Sequence, residues 1–214
     1  MAIDFNKGYV TKTGLIVTPK GRMLYPDLFK KTLPKGETDQ SKASYQLTLL
    51  FPKSASMDIL LAAVNQTVKE KWGPGPYKFK VKKPFIDTAE QPRFAEYADE
   101  YPVMIRASNK KDKPKVAFSN LKICDSEEEV YGGRWAVMCV NPYAWEHPTG
   151  GRGVSFGLNL VQLFAHDEPM GGGSIRVEDI FEAVDDEVFA SADSLFGDKP
   201  KSGKTGVLDD EIPF

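Results

Sequence analysis

Two stretches of the sequence alternate basic side chains with aromatic rings. Tyr77-Lys78-Phe79-Lys80-Val81-Lys82-Lys83-Pro84-Phe85 sets lysines among three rings, and Arg93-Phe94-Ala95-Glu96-Tyr97 repeats the mixture on a smaller scale. Cationic groups follow a phosphate backbone, while flat rings stack on unpaired bases of any sequence, so the combination suits a single strand better than a duplex. Arg106, the lysines Lys110, Lys111, Lys113 and Lys115, and then Arg134, Tyr143 and Trp145 extend the candidate set. The competing reading puts Phe79 and Phe85 in the core with their lysines merely facing water.

The charge distribution points the same way. The formal net charge is only -2, yet residues 1–165 carry a net +7 and residues 166–214 a net -9. A basic body with an acidic tail is expected to meet a polyanion through the body and to use the tail for self-screening or for recruiting proteins.

Catalytic signatures are weak by comparison. Gly203-Lys204-Thr205 has the end of a phosphate-binding loop, but the first glycine of that motif would fall at Asp198, and Pro200 interrupts it. His147 and His166 have no neighbouring His or Cys at ligand spacing, so neither a zinc site nor a histidine-activated nucleophile is expected. Glu127-Glu128-Glu129 and Asp185-Asp186-Glu187 are the one opening for a metal-dependent nuclease, although contiguous acids usually form a solvated turn. Cys124 and Cys139 read as free thiols in a reducing compartment. The expectation is a protein without catalysis, cofactor or metal.

The elements that must position these residues are mostly strands. Thr11–Val17 is rich in β-branched residues, and Ser44–Phe51 alternates, with Tyr45, Leu47, Leu49 and Phe51 on one face. The polar, turn-rich segment 33–42 between them should be a mobile loop whose lysines can reach phosphates. Residues 57–72 form the clearest helix: Ser56 is a candidate cap, Leu60, Val64, Val68 and Trp72 make a stripe, and Gly73-Pro74-Gly75-Pro76 stops it. Trp72 is read as a core anchor, and 77–93 as irregular. Val103–Ala107, Lys115–Phe118, Trp135–Val140 and Val154–Phe164 complete the strands. Many short strands and one helix suggest a small barrel, with Gly157 at a sharp bend or close approach. A turn at Asn141-Pro142 leaves open which faces of Trp135, Tyr143 and Trp145 are buried.

Three regions follow: a body over 1–165, a flexible acidic linker over 166–205 and a tip over 206–214. His166–Gly173 reads as a hinge, Ile180, Val184 and Val188 allow a short helix, and Ser191–Leu208 has a disordered composition. The chain ends on Asp209-Asp210-Glu211-Ile212-Pro213-Phe214. This resembles the D-D-D-I-P-F tip of bacterial single-stranded DNA-binding proteins, with Glu211 in place of the third aspartate. The resemblance implies that the Phe enters an apolar pocket on a replication or repair partner while basic groups there meet the acids.

The body differs in layout from that bacterial family. Val130–Trp145 and Gly153–Gln162 instead resemble a bacteriophage single-stranded DNA-binding family once filed as a domain of unknown function, over about residues 10–165. That likeness implies an OB-fold, a five-stranded Greek-key barrel, and sequence-independent binding of single strands. Together these readings predict a mainly β protein with one substantial helix and a disordered acidic tail. It would coat single-stranded DNA during phage replication or recombination in the bacterial host cytoplasm, with no membrane association and an oligomeric state left open. The tip would recruit phage or host proteins, and the tail would compete with DNA, so that deleting 206–214 tightens binding. An annealing protein, a nuclease and a virion or scaffold protein are the alternatives.

Overall fold

A computed structural model describes residues 4–170 of the chain. The short helix, the disordered tail and the acidic tip expected beyond Gly171 lie outside them. The strands are β1 (Tyr9–Val10), β2 (Ile16–Val17), β3 (Gly21–Thr32), β4 (Ser44–Phe51), β5 (Val81–Lys82), β6 (Ile86–Asp87), β7 (Val103–Asn109), β8 (Lys115–Phe118), β9 (Trp135–His147) and β10 (Gly151–Leu163), with helix α1 at Asp58–Trp72. Five of the strands close into a ring in the order β9, β3, β4, β7, β10 and back to β9. Every pairing in the ring is antiparallel except β7 with β10. This is an OB-type barrel, and closure leaves none of the five long apolar strands with a bare edge along its whole length.

Strand alternation decides what fills it. Leu47, Leu49 and Phe51 of β4 turn inward with Ile105 and Ala107 of β7, Met138 and Val140 of β9, and Val154, Phe156 and Leu158 of β10. α1 packs against β9 and β10, burying Leu60, Val64 and Val68 on the stripe its spacing requires. The N-cap position falls on Met57, which makes no side-chain cap bond, rather than on Ser56, whose hydroxyl accepts the Asp58 amide at 3.3 Å; Gly73, at φ +82°, ends the helix. Trp72 packs on the core, and its Nε1–H donates to Glu146.

β7 and β10 pair only at Ala107–Ser108 against Phe156–Gly157. Where they part, β5 joins β10 at Arg152–Gly153 and β6 joins β7 at Val103–Met104. The stretch read as irregular is thus a wedge that completes the wall. The expected break at Asn141-Pro142 does not occur, because β9 runs through both residues. Beyond Val140 its only partner among the described residues is β10, so a proline there can keep its missing N–H off the ladder.

A second, smaller core lies outside the barrel wall, where Leu24, Leu50 and Met104 are covered by Phe94, Tyr101 and Met170. Residues 166–170 therefore are not a linker. The buried Arg22 guanidinium holds them, donating to the carbonyls of Gly133 and Glu168 and pairing with Asp167 at 2.7 Å. Trp135 Nε1–H also reaches Asp167, at 2.7 Å, and the Met170 amide donates to Gly132 at 2.9 Å. Gly133 sits at φ +104°, with the Glu168 carbonyl only 2.1 Å from where a β-carbon would stand. Residues 166–170 thus pack onto the body expected to end at 165.

Candidate nucleic-acid interface

Residues that alternate away from the core line the outer wall of β4, β7, β10 and β9. Gln46 and Thr48 of β4 stand opposite Ser108 and Arg106 of β7. Ser108 is level with Gly157 of β10, which places Arg106 beside Ser155. Ser155 in turn faces Tyr143 of β9, and Gly153 faces Trp145. Two strand spacings, about 10 Å, separate Arg106 from Tyr143.

Along this row Arg106 and Tyr143 are exposed, Gln46, Ser108, Ser155 and Trp145 are half-buried, and Thr48 is buried. Arg106 is exposed, steadied by its Nε–H approaching Thr48 Oγ1 at 3.4 Å. Tyr143 is 43% exposed. The Trp145 indole lies across Gly153, close enough that a β-carbon there would stand 2.6 Å from Cζ2, and its Nε1–H donates to Ser155 Oγ at 3.0 Å. One ring face is thereby held against the sheet. Gly157 does the same for Asn141, whose Oδ1 would be 2.8 Å from an added β-carbon. The expected close approach at Gly157 is this contact.

At one end of the row the β9–β10 hairpin carries a basic and aromatic cluster. Arg152 lies over the Phe79 ring at 4.2 Å and pairs with Glu146 at 3.2 Å. Phe79 also meets Trp72 and Tyr77, at 5.9 and 5.4 Å between ring centres. The Trp72 hydrogen bond, followed by the nearby charges of Arg152 and Lys71, holds the Glu146 carboxyl below its ordinary range. Lys80 lines the cleft between Phe79 and the hairpin, and Lys82 Nζ donates to the Gly150 carbonyl at 3.0 Å. Lys78 and Lys83 are exposed on the same wedge. His147 accepts the Gly150 amide at 2.9 Å and so shapes the turn.

At the other end, Lys31 lies over Tyr45 and donates to the Lys110 carbonyl at 2.6 Å, while Lys113 lies over Phe29 at 4.5 Å. Lys110 and Lys111 are exposed. Arg93 is exposed beside Tyr25 and Tyr131, with Tyr25 edge-on to Phe94.

Two sequence candidates are corrected. Phe94 is buried in the second core and has no free face. Arg134 is 4% exposed, donating to the Phe164 carbonyl and pairing with Glu129, so it serves the fold. Tyr97 is half-buried at the margin of the second core. Glu129 is engaged by Arg134 and Glu127 by Lys30 at 3.5 Å. Among the described residues no group of three or more His, Cys, Asp or Glu is placed to hold a metal ion. Arg152, Trp72, Tyr25, Tyr45 and Lys31 were not among the candidates. Arg152 could have been found as a cation in a glycine-rich turn between two strongly β segments.

Residues 14–190 match the family model of the Enterobacter phage Enc34 ssDNA-binding protein. The chain belongs to this family. The phage resemblance read from Val130–Trp145 and Gly153–Gln162 is thereby established. Among solved structures, the bacteriophage Enc34 single-stranded DNA-binding protein in complex with ssDNA is similar over 79% of this chain and 97% of its own, with a TM-score of 0.63 and 22% identity. A further structure of the bacteriophage Enc34 single-stranded DNA-binding protein gives a TM-score of 0.61 and 24% identity, covering 83% of this chain and 96% of its own. Bacteriophage T7 gp2.5, a single-stranded DNA-binding protein, gives 0.52 and 18%, covering 78% and 94%. At these identities the likenesses establish the fold shared with the Enc34 family. No protein of curated function matches the sequence.

Proposed function

We propose that the protein coats single-stranded DNA without sequence preference during phage replication or recombination in the host cytoplasm, and that it does so without catalysis. The observation that carries this reading is the outer row of Arg106, Tyr143 and Trp145 on the barrel of an Enc34-family chain, flanked by lysine-rich loops. Bases stack on Tyr143 and Trp145, each worth about 1–3 kcal/mol. Phosphates run past Arg106 toward Lys110 and Lys111 on one side and Arg152, Lys80 and Lys82 on the other. Each neutralised phosphate adds about 0.7 to the slope of log affinity against log salt on a single strand. Residues 206–214 serve partner recruitment, with Asp209–Phe214 as the contact segment, and the acidic stretch before them is the linker.

Tryptophan fluorescence titration with a dT oligonucleotide and with matched duplex, at low and high salt, tests the reading. Salt-sensitive quenching confined to the single strand is expected. Equal affinity for duplex would overturn single-strand selectivity, and magnesium-dependent loss of a labelled oligonucleotide would overturn the absence of catalysis.

A further inference from the structure

Past the bulge between Leu158 and Leu160, the outer wall of β9 and β10 changes character. Val137, Cys139 and Leu160 form the floor of an apolar groove, walled by Tyr9 of β1 on one side and by Leu121 and Ile123 after β8 on the other. Leu121 is 76% exposed and Ile123 57%, unusual for aliphatic side chains outside an interface. Leu121 also sits at φ +67°, a left-handed conformation that aliphatic residues avoid. An exposed leucine kept in a disfavoured conformation at the lip of an apolar groove marks a surface meant to be covered.

The rim adds a charge requirement. Lys115 lines the groove, Lys12 and Lys122 adjoin its lining residues, and none of the three has an ion-pair partner among the described residues. An occupant that satisfies both must carry carboxylates next to aliphatic and aromatic groups. The chain's own residues 171–214 hold that pattern repeatedly: Glu178-Asp179-Ile180-Phe181, Asp186-Glu187-Val188-Phe189, Asp193-Ser194-Leu195-Phe196 and Asp210-Glu211-Ile212-Pro213-Phe214. Each of the four phenylalanines in this region closes such a segment.

We propose that the groove receives Asp209–Phe214 of a second copy bound beside it on the same strand, which rests on the coating function proposed above. Ile212 and Phe214 cover Leu160, Leu121 and Ile123, while Asp209, Asp210 and Glu211 face the rim lysines. Residues 171–208 give a reach of up to roughly 125 Å at about 3.3 Å per residue, ample for a neighbouring body. The contact links adjacent copies and makes coating cooperative.

Two measurements test it. A fluorescent peptide of residues 206–214 is titrated against the full chain by anisotropy, without DNA. Ile123→Asp with Leu121→Asn in the protein, or Phe214→Ala in the peptide, is expected to weaken binding at least tenfold, while the groove variant binds a dT oligonucleotide like the parent. Peptide binding unchanged by the groove substitutions overturns the site. Separately, a thiol is placed on the exposed wall of the groove by Ile123→Cys, and its alkylation by N-ethylmaleimide is followed on poly-dT and on an oligonucleotide that holds one copy. Slower reaction on poly-dT, reversed by Phe214→Ala, is expected. Equal rates on both, or equal protection on both, overturns occupation by a second copy. If dT is not bound at all, the coating function fails while the peptide titration still reads the groove.

Discussion

Gly153→Ala should weaken single-strand binding although it removes no group that touches DNA. A β-carbon at 153 would lie 2.6 Å from Trp145 Cζ2, 2.8 Å from Cε2 and 2.9 Å from the Lys82 carbonyl oxygen. The indole must then lift from the sheet and lose its 3.0 Å hydrogen bond to Ser155. If Trp145 stacks on one base, Trp145→Ala removes about 1–3 kcal/mol, a loss of about 5- to 150-fold in affinity. Gly153→Ala should forfeit most of the same quantity by misplacing the ring. The double variant should bind no worse than Trp145→Ala, giving a coupling about equal to the smaller single effect. Neither change removes a charge, so the salt slope should stay that of the parent. The assay is anisotropy of a labelled dT oligonucleotide at several salt concentrations, below the thermal midpoint of every variant. Additive effects, or parent-like binding by Gly153→Ala when Trp145→Ala is costly, would refute the flat-ring reasoning.

Arg106→Ala should lower the salt slope by about 0.7 and leave the fold intact, since only one phosphate contact is lost. Arg134→Ala should do the opposite: it strands Glu129 and the Phe164 carbonyl, lowering stability by about 3 kcal/mol in denaturant melts with little change in DNA affinity. Leu121→Asn should raise stability by about 1 kcal/mol, because asparagine tolerates the left-handed conformation leucine occupies. Asp167 is held below the ordinary carboxylate range, first by the Glu168 amide and then by Trp135 and Arg22. Its native carboxyl is depressed, so its contribution is present at neutral pH and is lost only as pH falls through that lowered value. The gap in thermal midpoint between the parent and Asp167→Asn should therefore persist to about pH 4 and close below it.

The elements ruled by local periodicity were legible before the structure. Leu60, Val64 and Val68 announce α1 because burial on one stripe needs nothing beyond four-residue spacing. Leu47, Leu49 and Phe51 likewise announce their inward face. What escaped was set by distant partners. Pro142 reads as a break in isolation, yet it is tolerated because the neighbouring strand on one side has already ended. His166–Met170 has a linker's composition, but Arg22, some 140 residues earlier, fastens it. Arg134 and Phe94 carried the right residue types for DNA contact, and only the fold shows that both point into protein. The Tyr77–Phe85 stretch stands out locally as a basic and aromatic unit, but its neighbour Arg152 depends on the β5–β10 pairing, which no local pattern encodes.

Gly153 and Gly157 of β10 divide labour between the paired strands of the hairpin. With no side chains of their own, Gly153 and Gly157 offer bare backbone on which Trp145 and Asn141 recline. The chemistry of that part of the wall is thus written almost entirely on β9. If single strands lie along this wall as proposed, exchanges at 143 and 145 can retune stacking without disturbing the barrel behind them. Exchanges at 153 and 157 cannot, because any side chain there collides with its neighbour. For directed evolution of this scaffold, β9 is the strand to randomise and β10 the one to leave alone.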